Sequence, residues 1–282
     1  MKTGLIMEDG AMRGMFTCGI LDVFMENGVT FDGAGGISAG AVFGCNFKSK
    51  QIGRAIRYNK RFCRDPRYCG VRSLIRTGDL YGADFCYRTI PDELDIFDRD
   101  AFNSNPMEFY CGAVDIVNGD IVYHKCADGD ERDFLWLRAS GSMPFVSRPV
   151  EVDGYTLLDG GIMDATPYRY MTSVGYDRNV VILTRPLGYR KGKSGSTLLS
   201  RILLRKYPKV KKILNERHLR YNAEIDLINR DEASGKIIVL RPPEPLGISR
   251  TEKDPTELER VYNVGRREAE KHLASIKTFL EG

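Results

Sequence analysis

From Gly33 to Phe47 the chain runs without a charged residue, and in the middle of that run it reads Gly36-Ile37-Ser38-Ala39-Gly40. A helix with no charge on any side has no face for water, so Ala39 to Phe47 is predicted to be a helix buried all round. Before it, Phe31 to Gly35 reads as a short strand, weak because it has glycine where Val or Ile is usual. The run falls well short of the roughly 20 apolar residues that a bilayer span requires. A strand, a tight turn and a helix with no solvent face can be covered only inside a layered structure of sheet and helices.

The remaining pattern agrees. Leu5, Ile6 and Met7 read as a strand entering the turn Glu8-Asp9-Gly10, and Met15 to Asn27 as a helix closed by Gly28. Gln51 to Arg61 reads as a basic surface helix, whereas 64–105 has no clean period and is read as irregular. Phe109 to Ile116 and Asp120 to Lys125 alternate around Asn118-Gly119, a hairpin signal. Phe134 to Ser140 is predicted helical, Tyr155 to Leu158 a strand ending at Asp159, and Val180 to Thr184 a strand covered on both faces. From Thr197 the chain turns helical, with Val210, Ile213, Leu214, Tyr221, Ile225 and Ile228 in helical spacing, and Ile237 to Leu240 is a last strand. Asp254, Pro255 and Glu257 open a final helix running to Leu280. Strands separated by helices predict an α/β fold of three layers, αβα, with a mainly parallel central sheet and helices on both faces. Residues 1–282 are expected to form a single domain, with a basic helical C-terminal portion, about 185–282, packed on the core.

Composition narrows the chemistry. At 42% hydrophobic and 28% charged, the 282 residues are those of an ordinary globular protein. Seven cysteines are odd in number and form no C-x-x-C pair, which suits neither a disulfide framework nor a zinc site and fits a reducing compartment. The N-terminus shows no apolar leader, so a cytoplasmic protein that does not cross a membrane is expected. His124, His218 and His272 are the only histidines, little material for a metal centre or for His-dependent catalysis. No metal and no cofactor are expected.

Three local features could carry chemistry. Gly36-Ile37-Ser38-Ala39-Gly40 has the small residues that a nucleophile elbow needs, because its serine sits on a strained strand-to-helix turn. A glycine-rich turn whose serine merely caps the helix is the plain alternative. Glu8-Asp9-Gly10-Ala11-Met12-Arg13-Gly14 is a turn whose backbone N–H groups could converge on an oxyanion, or an ordinary connection. Asp159-Gly160-Gly161 places a carboxylate at a strand end, where ligands bind in open α/β sheets, and is equally a good turn.

In order and spacing the three resemble the patatin-like phospholipase family over roughly the first 190 residues, and Ala139-Ser140-Gly141-Ser142-Met143-Pro144 is similar to the Ala-Ser stretch that members carry before their aspartate. The resemblance implies a patatin-like fold and a serine acyl hydrolase of lipase, phospholipase A or lysophospholipase type, acting on lipid or lysolipid through a Ser-Asp dyad. Ser38 matches the nucleophile and Asp159 the residue that accepts its proton. Gly10 and Ala11 match the oxyanion turn, followed by Met12 and by Arg13 in its basic position. Gly36 and Gly40 match the elbow, and Gly160 and Gly161 the turn after the aspartate. The likeness is to bacterial cytoplasmic members rather than plant storage proteins.

Two departures stand out: the family usually has three glycines where this chain has Asp9-Gly10-Ala11. Ala11 does not readily adopt positive φ, and Asp9 places a carboxylate near a site meant for negative charge. They motivate the alternative of a weak or inactive lipid-binding or scaffold protein on the same fold. A nucleotide-binding protein is a distant third, since Gly188 to Ser194 is one residue short of a phosphate loop. A catalytic triad is disfavoured: His124 precedes Asp159 and reads as a strand-end residue, His218 as a packed, hydrogen-bonded one, and His272 lies by an apolar stripe.

Charge is uneven along the chain. Residues 185–220 hold twelve Lys or Arg against one acid, Glu216, for a net +11, which leaves −7 for the rest. Leu198, Leu199, Ile202, Leu203 and Leu204 lie among these charges, which fits peripheral contact with an anionic inner membrane surface or a solvated basic face. No nucleic-acid module accompanies the charge, and nucleic acid is not an expected partner.

Overall fold

The strands of the computed structural model, which describes residues 1–193 and 207–282, are β1 (Lys2–Met7), β2 (Gly33–Ile37), β3 (Glu108–Asp115), β4 (Asp120–Cys126), β5 (Val150–Val152), β6 (Tyr155–Asp159), β7 (Tyr176–Ile182) and β8 (Ile237–Leu240). They form one sheet in the order β5-β6-β3-β2-β1-β7-β8, with β4 paired to β3. The run from β3 to β8 is parallel throughout, and the β3-β4, β3-β6 and β5-β6 pairs are antiparallel.

One edge of β3 acts as a ruler for the site. β4 occupies the opposite edge from Phe109 to Asp115, so β2 and β6 share the remaining one. β2 takes Glu108 to Gly112 and β6, running the other way, takes Ala113 to Asp115. Ile37 therefore pairs with Gly112 and Asp159 with Ala113, and the carboxyl ends of β2 and β6 meet at adjacent positions. Ser38 leaves one end and Asp159 closes the other.

Helices α1 (Gly14–Glu26), α2 (Ala39–Lys48), α3 (Arg54–Phe62), α4 (Val71–Thr77), α5 (Arg99–Ser104), α6 (Glu131–Gly141), α7 (Tyr168–Ser173), α8 (Pro208–Ala233) and α9 (Pro255–Glu281) complete the layers. Side chains alternate across each strand. Leu5, Met7, Val180 and Ile182 pack against the layer holding α1, α2, α6 and α9, while Ile6, Val181, Leu183 and Val239 pack against α7 and α8. Two glycines follow from the contact of α2 with the sheet: a Cβ on Gly36 of β2 would lie 2.5 Å from the Gly40 carbonyl, and one on Gly40 of α2 2.4 Å from the Met7 carbonyl oxygen at the end of β1. The helix rests directly on strand backbone, which no larger residue permits.

Several sequence expectations shift. β2 begins two residues later than the apolar pattern placed it. The span read as irregular holds α4, α5 and a π-helical segment, Phe85–Leu94, with Pro91 inside it; elements this short or this irregular show no 3.6-residue period. α3 is not a plain surface helix, because Arg54, Tyr58, Asn59 and Phe62 are buried and the Arg54 guanidinium donates to the Asp95 carbonyl and to Asn46. The helix start at Thr197 and the apolar cluster from Leu198 to Leu204 lie outside the described residues. Among the described residues no helix is long and apolar enough to cross a membrane.

Candidate active site

Ser38 occupies the turn from β2 to α2 with φ 53° and ψ −119°, a conformation that costs a non-glycine residue about 1–3 kcal/mol. Bonds on both sides hold it there. Its N–H donates to Ser140 Oγ at 2.9 Å, and Ser140 Oγ donates to the Gly112 carbonyl at 2.7 Å, tying the turn to the β3 ruler. Its own Oγ donates to Asp159 Oδ2 at 2.9 Å. Asp159 is fixed in turn: its N–H donates to the Ser142 carbonyl at 2.8 Å, and the Gly161 N–H donates to Oδ1 at 2.7 Å. Both residues are buried. Burial, reinforced by the Asp9 charge, pushes the Asp159 carboxyl up to about 6. A hydroxyl bonded to a carboxylate of that acidity can hand over its proton near neutral pH.

The turn after β1 lies against the same space. Gly10 is extended, at φ −179°, whereas Ala11 takes the left-handed φ of 46°. The expectation that alanine avoids positive φ is thus corrected: here the alanine, not the glycine, adopts it. Among the described residues no group accepts from the amides of Gly10, Ala11 or Met12, as befits the first turn of a short 3-10 helix, Ala11–Arg13. Glu8 is the buried post beneath this turn, accepting from the Thr184 hydroxyl at 2.9 Å and the Tyr221 hydroxyl at 2.7 Å. Burial, joined by the neighbouring Asp9 charge, pushes its carboxyl up.

Asp9 points into the cavity, and two guanidinium groups meet it there. Arg217 Nη2 donates to its Oδ2 at 2.9 Å, and Arg13 Nη2 lies 3.8 Å from Oδ1. Burial alone would raise this carboxyl, but Lys191, Arg217, Arg13 and Arg250 outweigh it and hold it below the usual range. The second glycine of Asp-Gly-Gly is required by the crowding: a Cβ on Gly161 would stand 2.4 Å from Asp9 Oδ2 and 3.0 Å from Asp159 Oδ1. Gly160 has no room either, 2.5 Å from the Gly112 oxygen.

Two chambers meet at Ser38. The larger, about 560 Å³, is polar and takes in Asp9, Gly10, Arg13, Asp159, Arg217 and Tyr221. The smaller, about 90 Å³, is apolar, with Met12, Val42, Phe43, Tyr58 and Tyr87 in its wall. Ala11, Ser38 and Met143 border both. His218 lines the polar chamber and its Nδ1 is buried without a hydrogen-bond partner, so the packed, hydrogen-bonded histidine expected from its spacing is not what the fold makes of it. His124 stacks on Trp136 and pairs with Asp133 at 2.8 Å, and His272 pairs with Glu268. His124, Cys126 and Asp133 bring possible ligand atoms within 4.8 Å, yet Asp133 also accepts from the Asp128 and Gly129 amides, which makes it a clamp between hairpin and helix.

Ser140 stood within a stretch that the sequence singled out. Glu8 stood in the turn itself. Thr184 and Tyr221 read in the sequence only as a strand end and a packed helix position, and Arg217 as one of twelve cations in its segment, so none of the three pointed to the site.

A family model described as patatin-like phospholipase matches residues 5–172. The chain belongs to that family. Its mostly parallel sheet with helices on both faces is the patatin-like fold. A second model, for a domain of unknown function (DUF6363), matches residues 207–281. Lysophospholipase NTE1 of Scheffersomyces stipitis is 25% identical over 288 residues, which cover 96% of this chain and 18% of that protein. The uncharacterized protein YjjU of Escherichia coli K12 is 29% identical over 191 residues, 66% of this chain and 52% of its own length. The chain thus spans from under a fifth to about half of these relatives. VipD of Legionella pneumophila overlays 97% of this chain and 67% of its own at 12% identity, with a TM-score of 0.44.

Proposed function

We propose that the chain is a serine acyl hydrolase that cleaves fatty-acyl esters of lipids or lysolipids through an acyl-enzyme, with Ser38 as nucleophile and Asp159 as its base. The carrying observation is the 2.9 Å bond from Ser38 Oγ to Asp159 Oδ2 at the junction of a polar and an apolar chamber. Asp159 takes the hydroxyl proton as Oγ attacks the ester carbonyl. The tetrahedral oxyanion faces the unengaged amides of Gly10 and Ala11, with Met12 and Arg13 behind them. Collapse expels the alcohol, which receives the proton from Asp159, and leaves the acyl group on Ser38. Water, deprotonated by Asp159, then attacks this ester, releasing the fatty acid and restoring the serine.

The competing reading, a lipid-binding protein without activity, draws on Asp9 in the cavity. Its ion pairs with Arg217 and Arg13 weaken that reading, because they neutralise the charge that would repel an oxyanion. We also read residues 1–282 as one domain, since Arg217 and Tyr221 of α8 bond to Asp9 and Glu8. Seven free cysteines support a cytoplasmic setting, and the basic segment 185–220 peripheral contact with anionic membrane. A fluorophosphonate probe tests the central claim: it should label the wild type and not Ser38→Ala. A folded wild type that takes no label overturns it.

A further inference from the structure

The polar chamber holds more positive charge than ester cleavage uses. Arg13 and Arg217 are engaged by Asp9, and Arg217 Nε donates to the Gly161 carbonyl at 2.7 Å. Arg185, Lys191 and Arg250 line the same space, and among the described residues none of the three comes within ion-pair distance of a carboxylate, although the charges of Lys191 and Arg250 act on Asp9. The undescribed residues 194–206 cannot supply the missing acid, because they contain no Asp or Glu. Lys191 is half-buried, and burial lowers its pKa, with the repulsion of Arg217 and Arg13 set against the attraction of Asp9 and Glu8. His218 adds its unpartnered Nδ1. Cations gathered in a partly dry chamber are unfavourable unless an anion joins them.

The aromatic rings narrow the choice of anion. Arg185 lies over Tyr189 at 4.5 Å and Lys191 over Tyr221 at 4.1 Å. Those ring faces would be the natural seat for a quaternary ammonium group, and here they are already covered by cations. A phosphate without an attached cation suits the chamber instead: two guanidinium forks and an ammonium match its oxygens, and about 560 Å³ admits a glycerophosphate.

We propose that the polar chamber is a headgroup receptor in which Arg185, Lys191 and Arg250 bind the phosphate of an anionic glycerophosphate ester, selecting it over choline-bearing lipids. As a statement about substrate it rests on Ser38 being the nucleophile between the two chambers. None of the three cations lies within the residues matched by the patatin-like model. Headgroup choice therefore belongs to the C-terminal third, with Arg250 and His218 inside the span matched by the domain of unknown function.

The test reads binding apart from catalysis. Full-length Ser38→Ala protein is titrated calorimetrically with glycerol 3-phosphate, glycerophosphocholine and inorganic phosphate at low ionic strength. Glycerol 3-phosphate is expected to bind about ten-fold or more tightly than glycerophosphocholine, with Lys191→Met and Arg250→Met each weakening it several-fold. Arg250 is exposed, so its variant keeps the test open even where Lys191→Met disturbs folding. Equal affinity for the two glycerol esters overturns the receptor. Inorganic phosphate binding as tightly as glycerol 3-phosphate overturns it in favour of a free-phosphate site. In the wild type, kcat/KM for a monoacyl glycerophosphate should exceed that for its choline ester by a similar factor. Intact headgroup discrimination in a protein that takes no fluorophosphonate sinks the hydrolase reading alone, whereas a labelled protein indifferent to headgroup sinks this one alone.

Discussion

Ser38 and Asp159 are each held in a state that folding by itself would not choose. The serine sits at φ 53°, and the carboxyl is buried and lifted to about 6. Folded Asp159 keeps its proton to a higher pH than it would in the unfolded chain, so between about pH 4 and 6 the native state binds more protons. Its contribution to stability is therefore full below the unfolded value and lost as pH rises through about 6. At neutral pH the ionised group costs about 3 kcal/mol by the usual 1.36 kcal/mol per pKa unit. Asp159→Asn should abolish ester turnover and yet raise Tm at pH 7.5, by roughly 2–4 °C per kcal/mol recovered. In the wild type the same group should give kcat/KM an acid limb near pH 6, rising with ionisation. A variant that melts lower, or an acid limb near 4, would mean that the carboxylate is better solvated than its burial indicates.

Between elements, close backbone approach decides the packing. α1 and α9 touch through two glycines: a Cβ on Gly19 would stand 2.1 Å from the Tyr262 oxygen and one on Gly265 2.0 Å from the Phe16 oxygen. The contact is sealed by the Tyr262 hydroxyl on Asp22 at 2.7 Å and by the Arg266 fork on Glu26 at 2.8 and 2.7 Å. Alanine is a better helix former than glycine by nearly 1 kcal/mol, so propensity favours Gly265→Ala while packing opposes it. Overpacking should win, lowering the urea midpoint by an amount equivalent to about 1–3 kcal/mol. A raised midpoint would show that the helices can separate without loss. The glycines of β2 obey the same rule, which is why β2 reads as a weak strand in the sequence: a Cβ on Gly33 would strike the Tyr176 ring, one on Gly35 Met171 of α7, and one on Gly36 the backbone of α2.

Across the whole molecule, the two spans matched by separate family models meet at one buried charge cluster. Glu8 and Asp9 come from the first; Arg217 and Tyr221, which bond to them, come from the second. A chain ending at residue 193 would leave both carboxylates short of partners and strip α9 from α1. It should lose the cooperative urea transition of the full chain, and a sharp transition in that fragment would overturn the single-domain reading. This scale also separates what was legible in advance. The sequence alone determined the tight strand-to-helix turn at Ser38, the Asp159-Gly160-Gly161 turn, and most of the strands and helices outside 64–105. Tight turns and buried strands impose steric rules on neighbouring residues, and those rules are written locally. Only the tertiary structure decided that Asp9 faces the cavity, that Ala11 and not Gly10 takes the left-handed conformation, and that Arg217 answers Asp9 from 208 positions away. Charge compensation depends on distance through space, and any of the twelve cations between Arg185 and Arg220 could have met that carboxylate until the fold brought one of them within 2.9 Å.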